Sequence, residues 1–125
     1  MAHRLAPRPG TPHLEPEKIA KLLSDEFAVC LVNREQGQDD VGDMLAAMIR
    51  MKAPQAMIDK VAAGRDRSLS ITIADDDTHE DAYLSFMVRP DDGILIGYDS
   101  AQHEAAAQSL LERCAAALGY QIKLV

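Results

Sequence analysis

The stretch from Ser68 to Val125 constrains the fold more than any other part of this chain. It holds three segments in which apolar and polar residues alternate, then a helical pattern, then a last apolar segment. Alternation with a period of two is typical of strands that bury one face, and apolar residues three and four positions apart are typical of a helix that buries one side. The stretch therefore predicts three antiparallel strands, a helix packed on their sheet and a returning strand.

The alternation also predicts which side chains of these strands face the core. In the first two strands the expected inward residues are Leu69, Ile71, Ile73, Leu84, Phe86 and Val88. Asp91-Asp92-Gly93 is a tight-turn signal, after which the third strand is expected to bury Ile94, Ile96 and Tyr98. On this interpretation the outward face of the sheet carries Tyr83, Met87 and Leu95.

The last helix is expected to begin at a cap provided by Asp99 or Ser100 and to end at Gly119. Its buried positions follow the helical spacing and are Ala107, Leu110, Leu111, Cys114 and Leu118. Because a strand then returns within one residue, we expect the third and last strands to pair in parallel, through a right-handed crossover.

The N-terminal segment, residues 1–14, is rich in proline and has little to bury, which favours a flexible tail. Beyond it the pattern predicts a helix over Pro16–Asp25 and a strand over Phe27–Val32. That strand is apolar at every position, so we expect it to be central in the sheet or covered on both sides. Residues 34–38 are predicted to form a loop.

Two further helices are predicted between this loop and Ser68. Asp39 or Asp40 can cap the second helix, and Pro54 fits the first turn of the third, which Gly64 would end in a left-handed conformation. Together the patterns predict an α+β fold: a single two-layer domain over residues 15–125, with a mixed, mostly antiparallel sheet of about five strands and helices on one face.

Charge and composition exclude several classes of function. The 125 residues carry a formal net charge of −7, without a basic stripe, so we expect no nucleic-acid partner. No run of about 18 apolar residues could span a bilayer, and no export signal is evident, so we expect a cytoplasmic protein without a membrane partner. Cys30 and Cys114 lack the spacing of a metal or redox pair and are interpreted as buried, reduced thiols.

The acidic run at residues 75–81 is the most suggestive metal-binding pattern. It contains five carboxylates and an imidazole, but they are contiguous, lack the central glycine of a calcium loop and connect two strands. We interpret the run as a solvated loop, and we expect neither a metal nor another cofactor.

A small-molecule site is an alternative at the start of the last helix. Tyr98, Ser100 and His103 lie close together in sequence where free backbone N–H groups could hold an anion. The segment has neither a glycine-rich phosphate loop nor a nucleophile elbow, and Ser100 is explained equally well as a helix cap.

Methionines and the outward face of the sheet supply the main functional hypothesis. Met44, Met48 and Met57 are expected to fill the core, with an adaptable binding groove as the alternative, whereas Met51 is expected at the surface. Tyr83, Met87 and Leu95 would form an exposed apolar patch, which is typical of an interface. We therefore expect a non-enzymatic interaction module that binds a partner protein or forms a homodimer, with a small-molecule binder or enzyme as the alternative.

Overall fold

The structure is a computed structural model that describes residues 2–74, 83–91, 93–99 and 104–124. Its strands are β1 (Ala2–Pro7), β2 (Val29–Asn33), β3 (Leu69–Ala74), β4 (Leu84–Val88), β5 (Leu95–Asp99) and β6 (Tyr120–Leu124). Its α-helices are α1 (Pro16–Glu26), α2 (Arg34–Arg50), α3 (Gln55–Ala63) and α4 (Glu104–Leu118), and a short 3₁₀ turn covers Arg65–Arg67.

The six strands form one sheet in the order β2-β3-β4-β5-β1-β6, and every neighbouring pair is antiparallel. The predicted α+β single domain is confirmed, with one strand more than expected. The third and last predicted strands, β5 and β6, do run in the same direction, but their direct pairing was wrong because β1 lies between them.

The N-terminal segment was predicted as a flexible tail, and this is wrong for residues 2–7. Strand β1 pairs with β5 on one side and β6 on the other, so that Leu5 lies opposite Leu95 and Ile122. Leu5 is fully buried. An interior strand gains backbone hydrogen bonds from both neighbours, and one well-placed leucine then suffices to anchor it in the core. The domain therefore includes residues that the sequence pattern excluded.

Helices α1 and α4 cover one face of the sheet, which we call the core face. Between them and the strands lies a continuous, mostly aliphatic core that includes the predicted inward residues of β3 and β4. The helix residues that contribute to it are Ile19, Ala20, Leu23, Leu110, Leu111, Cys114 and Leu118. The prediction of helices on one face holds for α1 and α4 but is wrong for α2, which packs against the opposite face of the sheet.

The residues of β5 that face the core are Leu95 and Gly97, not the predicted Ile94, Ile96 and Tyr98. Leu95 lies opposite Val88 in the core and is fully buried, and Gly97 lies opposite Phe86. A Cβ atom on Gly97 would approach the Phe86 ring to 2.5 Å, so a residue without a side chain is required beside that ring. The expected outward position of Leu95 is therefore wrong, and Ile96 faces outward instead.

Strand β2 is an edge strand, not a central one. Its exposure rises along the strand, and Leu31 and Val32 are 55% and 41% exposed. The prediction of a central or doubly covered strand is therefore wrong, because β2 has a neighbouring strand on one side only and its last residues are exposed.

Helix α2 begins at Arg34, where a loop was expected, and its N-cap is Asn33 instead of the predicted Asp39 or Asp40. The Asn33 side chain caps it by accepting a hydrogen bond from the Gln36 backbone N–H at 2.8 Å. Gly37 lies inside this helix and packs against β3. A Cβ atom at this position would be 2.5 Å from the Leu69 backbone, so no larger residue fits. Glycine at this position is thus a packing requirement of the α2–β3 contact and not a loop signal.

Two glycines, Gly64 and Gly119, were predicted to end helices, and their backbone conformations differ. Gly119 has a φ of +69° and ends α4 in the left-handed conformation, as predicted. Gly64 ends α3 with a φ of −91°, so the predicted left-handed conformation is wrong there. Its role is to admit Pro90, whose Cγ would be 2.9 Å from an added Cβ.

Candidate functional site

A cleft lies between α2 and the sheet face opposite the core, which we call the open face. Met87 and Ile96 are cross-strand partners in β4 and β5 and belong to this face. Together with Asp40, Asp43 and Met44 of α2 they line a cavity of about 530 Å³. This volume is within the usual range for ligand sites, although the cavity opens to solvent on one side.

A second cavity of about 220 Å³ adjoins the first, because Met44 lines both. Its other lining residues come from α2, α3 and the end of β4, and they are Met48, Met57, Lys60, Val61, Arg89 and Asp91. We call the two cavities together the methionine cleft. Of the described residues, four methionines line it, and their unbranched, polarisable thioethers can adapt to apolar groups of different shapes.

The position of α2 over the sheet follows from its N-terminal turns. The Asn33 cap joins the helix directly to the end of β2, and Gly37 lets its backbone approach Leu69 in β3. One turn later Val41 is fully buried. Residues three and four positions apart share a helix face, so Asp40, Asp43 and Met44 reach the same cavity.

The larger cavity is acidic. Asp40 accepts a hydrogen bond from the Gln36 amide at 2.8 Å, and Asp43 forms no ion pair within the described part of the chain. Among the described residues, no cationic side chain lines this cavity. Arg4 pairs with Ile96 on the same face of the sheet but lines neither cavity. The two carboxylates therefore favour a cationic group beside an apolar one.

The smaller cavity contains a buried ion pair. Arg89 Nη1 and Asp91 Oδ2 are 3.5 Å apart, with 8% and 9% of the two side chains exposed. Asp91 Oδ1 is buried and accepts no hydrogen bond among the described residues. Such an acceptor loses solvation without compensation, so a hydrogen-bond donor entering the cavity would stabilise it. Lys60 lines the same cavity, which makes this end of the cleft less acidic than the other.

The structure separates the four residues expected to form an interface. Met87 lines the methionine cleft, and Tyr83, just before β4, is 38% exposed. Leu95 is buried on the core face, so the predicted patch of three residues does not form. Met51 is 82% exposed, as expected, but it follows the end of α2 and lines neither cavity.

The alternative site at the start of the last helix lies largely outside the described residues. Ser100 and His103 are not described, and for Tyr98 only the backbone position in β5 is given. The acidic run at residues 75–81 is also outside the described ranges. Among the residues that are described, no group of three histidine, cysteine, aspartate or glutamate side chains is arranged to hold a metal ion.

The sequence interpretation missed Asp40, Asp43 and Ile96 as members of one site. Asp40 was considered only as a helix cap, and Ile96 was assigned to the core. The spacing of Asp40, Asp43 and Met44 was visible as a shared helix face. The position of that face over β4 and β5 was not, because it depends on contacts between residues far apart in sequence.

The two cysteines are free thiols whose pKa values are raised by burial. Cys114 is fully buried between α4 and the sheet, and the nearby Cys30 raises its pKa further. A protonated, enclosed thiol is a poor nucleophile, which applies to Cys114. Cys30 was also expected to be buried but is only half-buried.

None of the helices in the described ranges combines the length and the apolar content needed to cross a bilayer. The chain matches no protein-family model, and comparison with curated proteins and with solved structures likewise found no match.

Proposed function

We propose that this protein is a non-enzymatic interaction module whose methionine cleft binds an amphipathic segment of a partner protein. The observation that carries the proposal is the larger cavity, where Met44, Met87 and Ile96 are combined with Asp40 and Asp43. An apolar floor with charges of one sign at its margin fits a helix that has one apolar side and adjacent lysine or arginine residues. The binding surface of this module is then the methionine cleft and not the sheet patch of Tyr83, Met87 and Leu95.

The shape of the cleft favours a peptide segment over a compact metabolite. The two cavities adjoin through Met44 and extend from Asp40 of α2 to Lys60 of α3, so the apolar surface is elongated. The larger cavity is open to solvent, whereas most small-molecule sites enclose the greater part of their ligand. Methionine-rich surfaces can repack against different apolar side chains, which suits a site that accepts more than one partner sequence.

The charge distribution sets the orientation of the segment. Its cationic side chains would lie beside Asp40 and Asp43, and its apolar face would cover Met44, Met87 and Ile96. An N–H donor reaching the smaller cavity could satisfy the free oxygen of Asp91. We place this interaction in a reducing compartment, the cytoplasm, because both cysteines are unpaired.

The test uses two synthetic helical peptides that differ only in charge. Both carry a leucine face, and one has lysines where the other has glutamates. Binding to the full-length protein is measured by fluorescence anisotropy at low and at physiological salt. We expect the lysine peptide to bind, with affinity that falls as salt is added, and the glutamate peptide to bind at least about tenfold more weakly.

The matched variants are Asp43→Asn and Asp39→Asn. Both remove one negative charge from α2, but Asp39 is exposed and lines neither cavity. Asp43→Asn is expected to weaken binding of the lysine peptide several-fold, and Asp39→Asn to leave it nearly unchanged. If both variants weakened binding equally, the effect would come from the overall net charge of −7 and not from a carboxylate in the cleft. That result would contradict specific binding at the cleft. Failure of the lysine peptide to bind would refute the proposed function itself.

A further inference from the structure

Strand β2 presents an unusual free edge. It is the first strand of the sheet, so one side of its backbone has no neighbouring strand among those described. Its five residues, Val29–Asn33, include no charge and no proline. Leu31 and Val32 point to opposite faces of the sheet and are 55% and 41% exposed. An uncharged apolar edge strand is a template for pairing with another strand, and proteins usually protect such edges.

The opposite edge of the sheet is protected. Strand β6 carries the exposed Lys123 and the half-buried Gln121 on one face. A lysine on an edge strand opposes further pairing, because adding a strand would desolvate its charge. The two edges of the sheet therefore differ in chemistry, and only β2 is suited to association.

We propose that β2 pairs antiparallel with β2 of a second copy of this chain. A twofold axis at Leu31 places Leu31 of one copy opposite Leu31 of the other, and Cys30 of each opposite Val32 of the other. Every central pair is then apolar, and cross-strand apolar pairs stabilise a sheet. The two six-stranded sheets become one continuous sheet across the dimer axis.

The difference between the edges favours a second copy in this closed arrangement. Pairing β2 with β6 of another copy would leave a free β2 at one end and would extend into a filament. Lys123 opposes that arrangement, whereas β2 paired with β2 uses both free edges and ends the assembly at two copies. The binding surface is distinct from the methionine cleft, since neither Leu31 nor Val32 lines either cavity.

The short strand limits the strength of the dimer. A five-residue strand and two partly exposed side chains provide a contact smaller than the roughly 1,200 Å² of total buried area typical of stable complexes. We therefore expect a weak, reversible dimer that is populated at high micromolar to millimolar concentration.

Sedimentation equilibrium of the full chain over that concentration range is the first test. The wild-type mass is expected to rise from 13.6 kDa toward twice that value. Leu31→Lys should weaken the dimer at least about tenfold, because it places two like charges opposite each other at the axis. Met51→Lys is the matched control, since it adds the same charge at a residue that is 82% exposed and distant from β2 in sequence. It should leave the dimer intact.

Site-specific crosslinking tests the register. In a Cys30→Ser background, Leu31→Cys places two identical thiols across the axis, within the Cα separation that a disulfide requires. Mild oxidation should give a covalent dimer quickly, and Met51→Cys in the same background should not. A thermal melt of each variant checks that it is folded.

Three outcomes would overturn the inference: a wild-type monomer at all concentrations, a dimer that survives Leu31→Lys, or equal crosslinking at positions 31 and 51. If the wild type stayed monomeric, the remaining candidate to pair with β2 would be a strand from a different protein. Binding of the lysine peptide to Leu31→Lys is measured in parallel. Retained binding by a monomeric variant separates the dimer from the proposed function, so either can fail without the other.

Discussion

Two glycines of α2, Gly37 and Gly42, differ in what a Cβ atom at their position would contact. At Gly37 an added Cβ would lie 2.5 Å from backbone atoms of Leu69, which cannot move without displacing β3. At Gly42 the nearest atoms belong to the flexible end of Arg65, at 2.6 Å. Alanine is favoured over glycine in a helix by about 1 kcal/mol at both positions. The steric cost therefore determines the outcome, and it differs between the two.

We accordingly predict opposite responses to the same substitution. Gly37→Ala should lower the free energy of unfolding by about 1–3 kcal/mol, because the helix must move away from the sheet. Gly42→Ala should leave it unchanged or raise it slightly, since the Arg65 side chain can rotate aside. Urea unfolding of both variants provides the measurement. Similar losses in both would show that the close contact between α2 and β3 does not limit stability.

The buried thiol of Cys114 predicts a specific dependence on alkaline pH. Burial raises its pKa above the ordinary 9.0, so the folded state keeps the proton that the unfolded state releases. The contribution of this thiol to stability is complete below pH 9 and is lost as the pH rises above that value. The loss is about 1.4 kcal/mol per pH unit over the range between the two pKa values.

Cys114→Val keeps an apolar side chain of similar size and removes the titration. We expect Tm of the wild type to fall more steeply above pH 9 than Tm of Cys114→Val, whatever their difference at pH 7. Part of the slope should remain in the variant, because burial also raises the pKa of Cys30 and of Tyr120. Parallel slopes for the two proteins would contradict the assignment to Cys114.

Strand β1 makes the N-terminal residues essential to the fold. It pairs with two strands, and Leu5 contributes a fully buried side chain to the core. Leu5→Ala should lower the free energy of unfolding by about 2–5 kcal/mol, the usual cost of emptying a buried leucine site. Leu31→Ala is the control, because the same atoms are removed from a side chain that is 55% exposed. Its cost should be less than about 1 kcal/mol, as judged from urea unfolding at low protein concentration.

Elements with a clear period could be predicted from sequence, and those that depend on distant partners could not. Helix α1 and strands β3 and β4 have one apolar side, which fixes both their type and their orientation. In β5 both sets of alternate residues contain apolar side chains, so alternation alone could not choose between Leu95 and Ile96. Strand β1 has too few apolar residues to be recognised, and its stability comes from pairing with segments about 90 and 120 residues later in the chain.

The candidate site illustrates the same limit. Met87 was correctly placed on the outward face of its strand. The expectation that Met44, Met48 and Met57 fill the core was wrong, because they line the cleft and Met57 is 55% exposed. The cleft itself exists because α2 crosses the open face of the sheet, which follows from the close approach at Gly37. No local pattern encodes the distance between a helix and two strands that come forty to fifty residues later.

Charge and shape together argue against nucleic acid as a partner of this fold. The chain has a formal net charge of −7, and the larger cavity of the cleft adds two carboxylates to the open face of the sheet. A sheet that reads single strands needs cations for the phosphates and aromatic side chains on which bases can stack. Only 4% of the residues are aromatic, and Phe86 is buried in the core. On the described part of that face the cations are Arg4 and Lys123, which pair with each other across β1 and β6, and Asp40 and Asp43 oppose their charge.

We therefore predict no measurable affinity for mixed DNA or RNA at physiological salt, by titration with labelled single-stranded and double-stranded pools. The lysine peptide serves as the positive control, because it should bind under the same conditions through Asp40 and Asp43. The decisive feature is the response to salt. Added salt weakens a contact that releases counterions from phosphates, so micromolar binding with a negative salt slope would contradict the prediction and reveal a basic surface. Binding of the peptide without binding of either pool would instead identify the acidic cleft as the electrostatic determinant of partner choice.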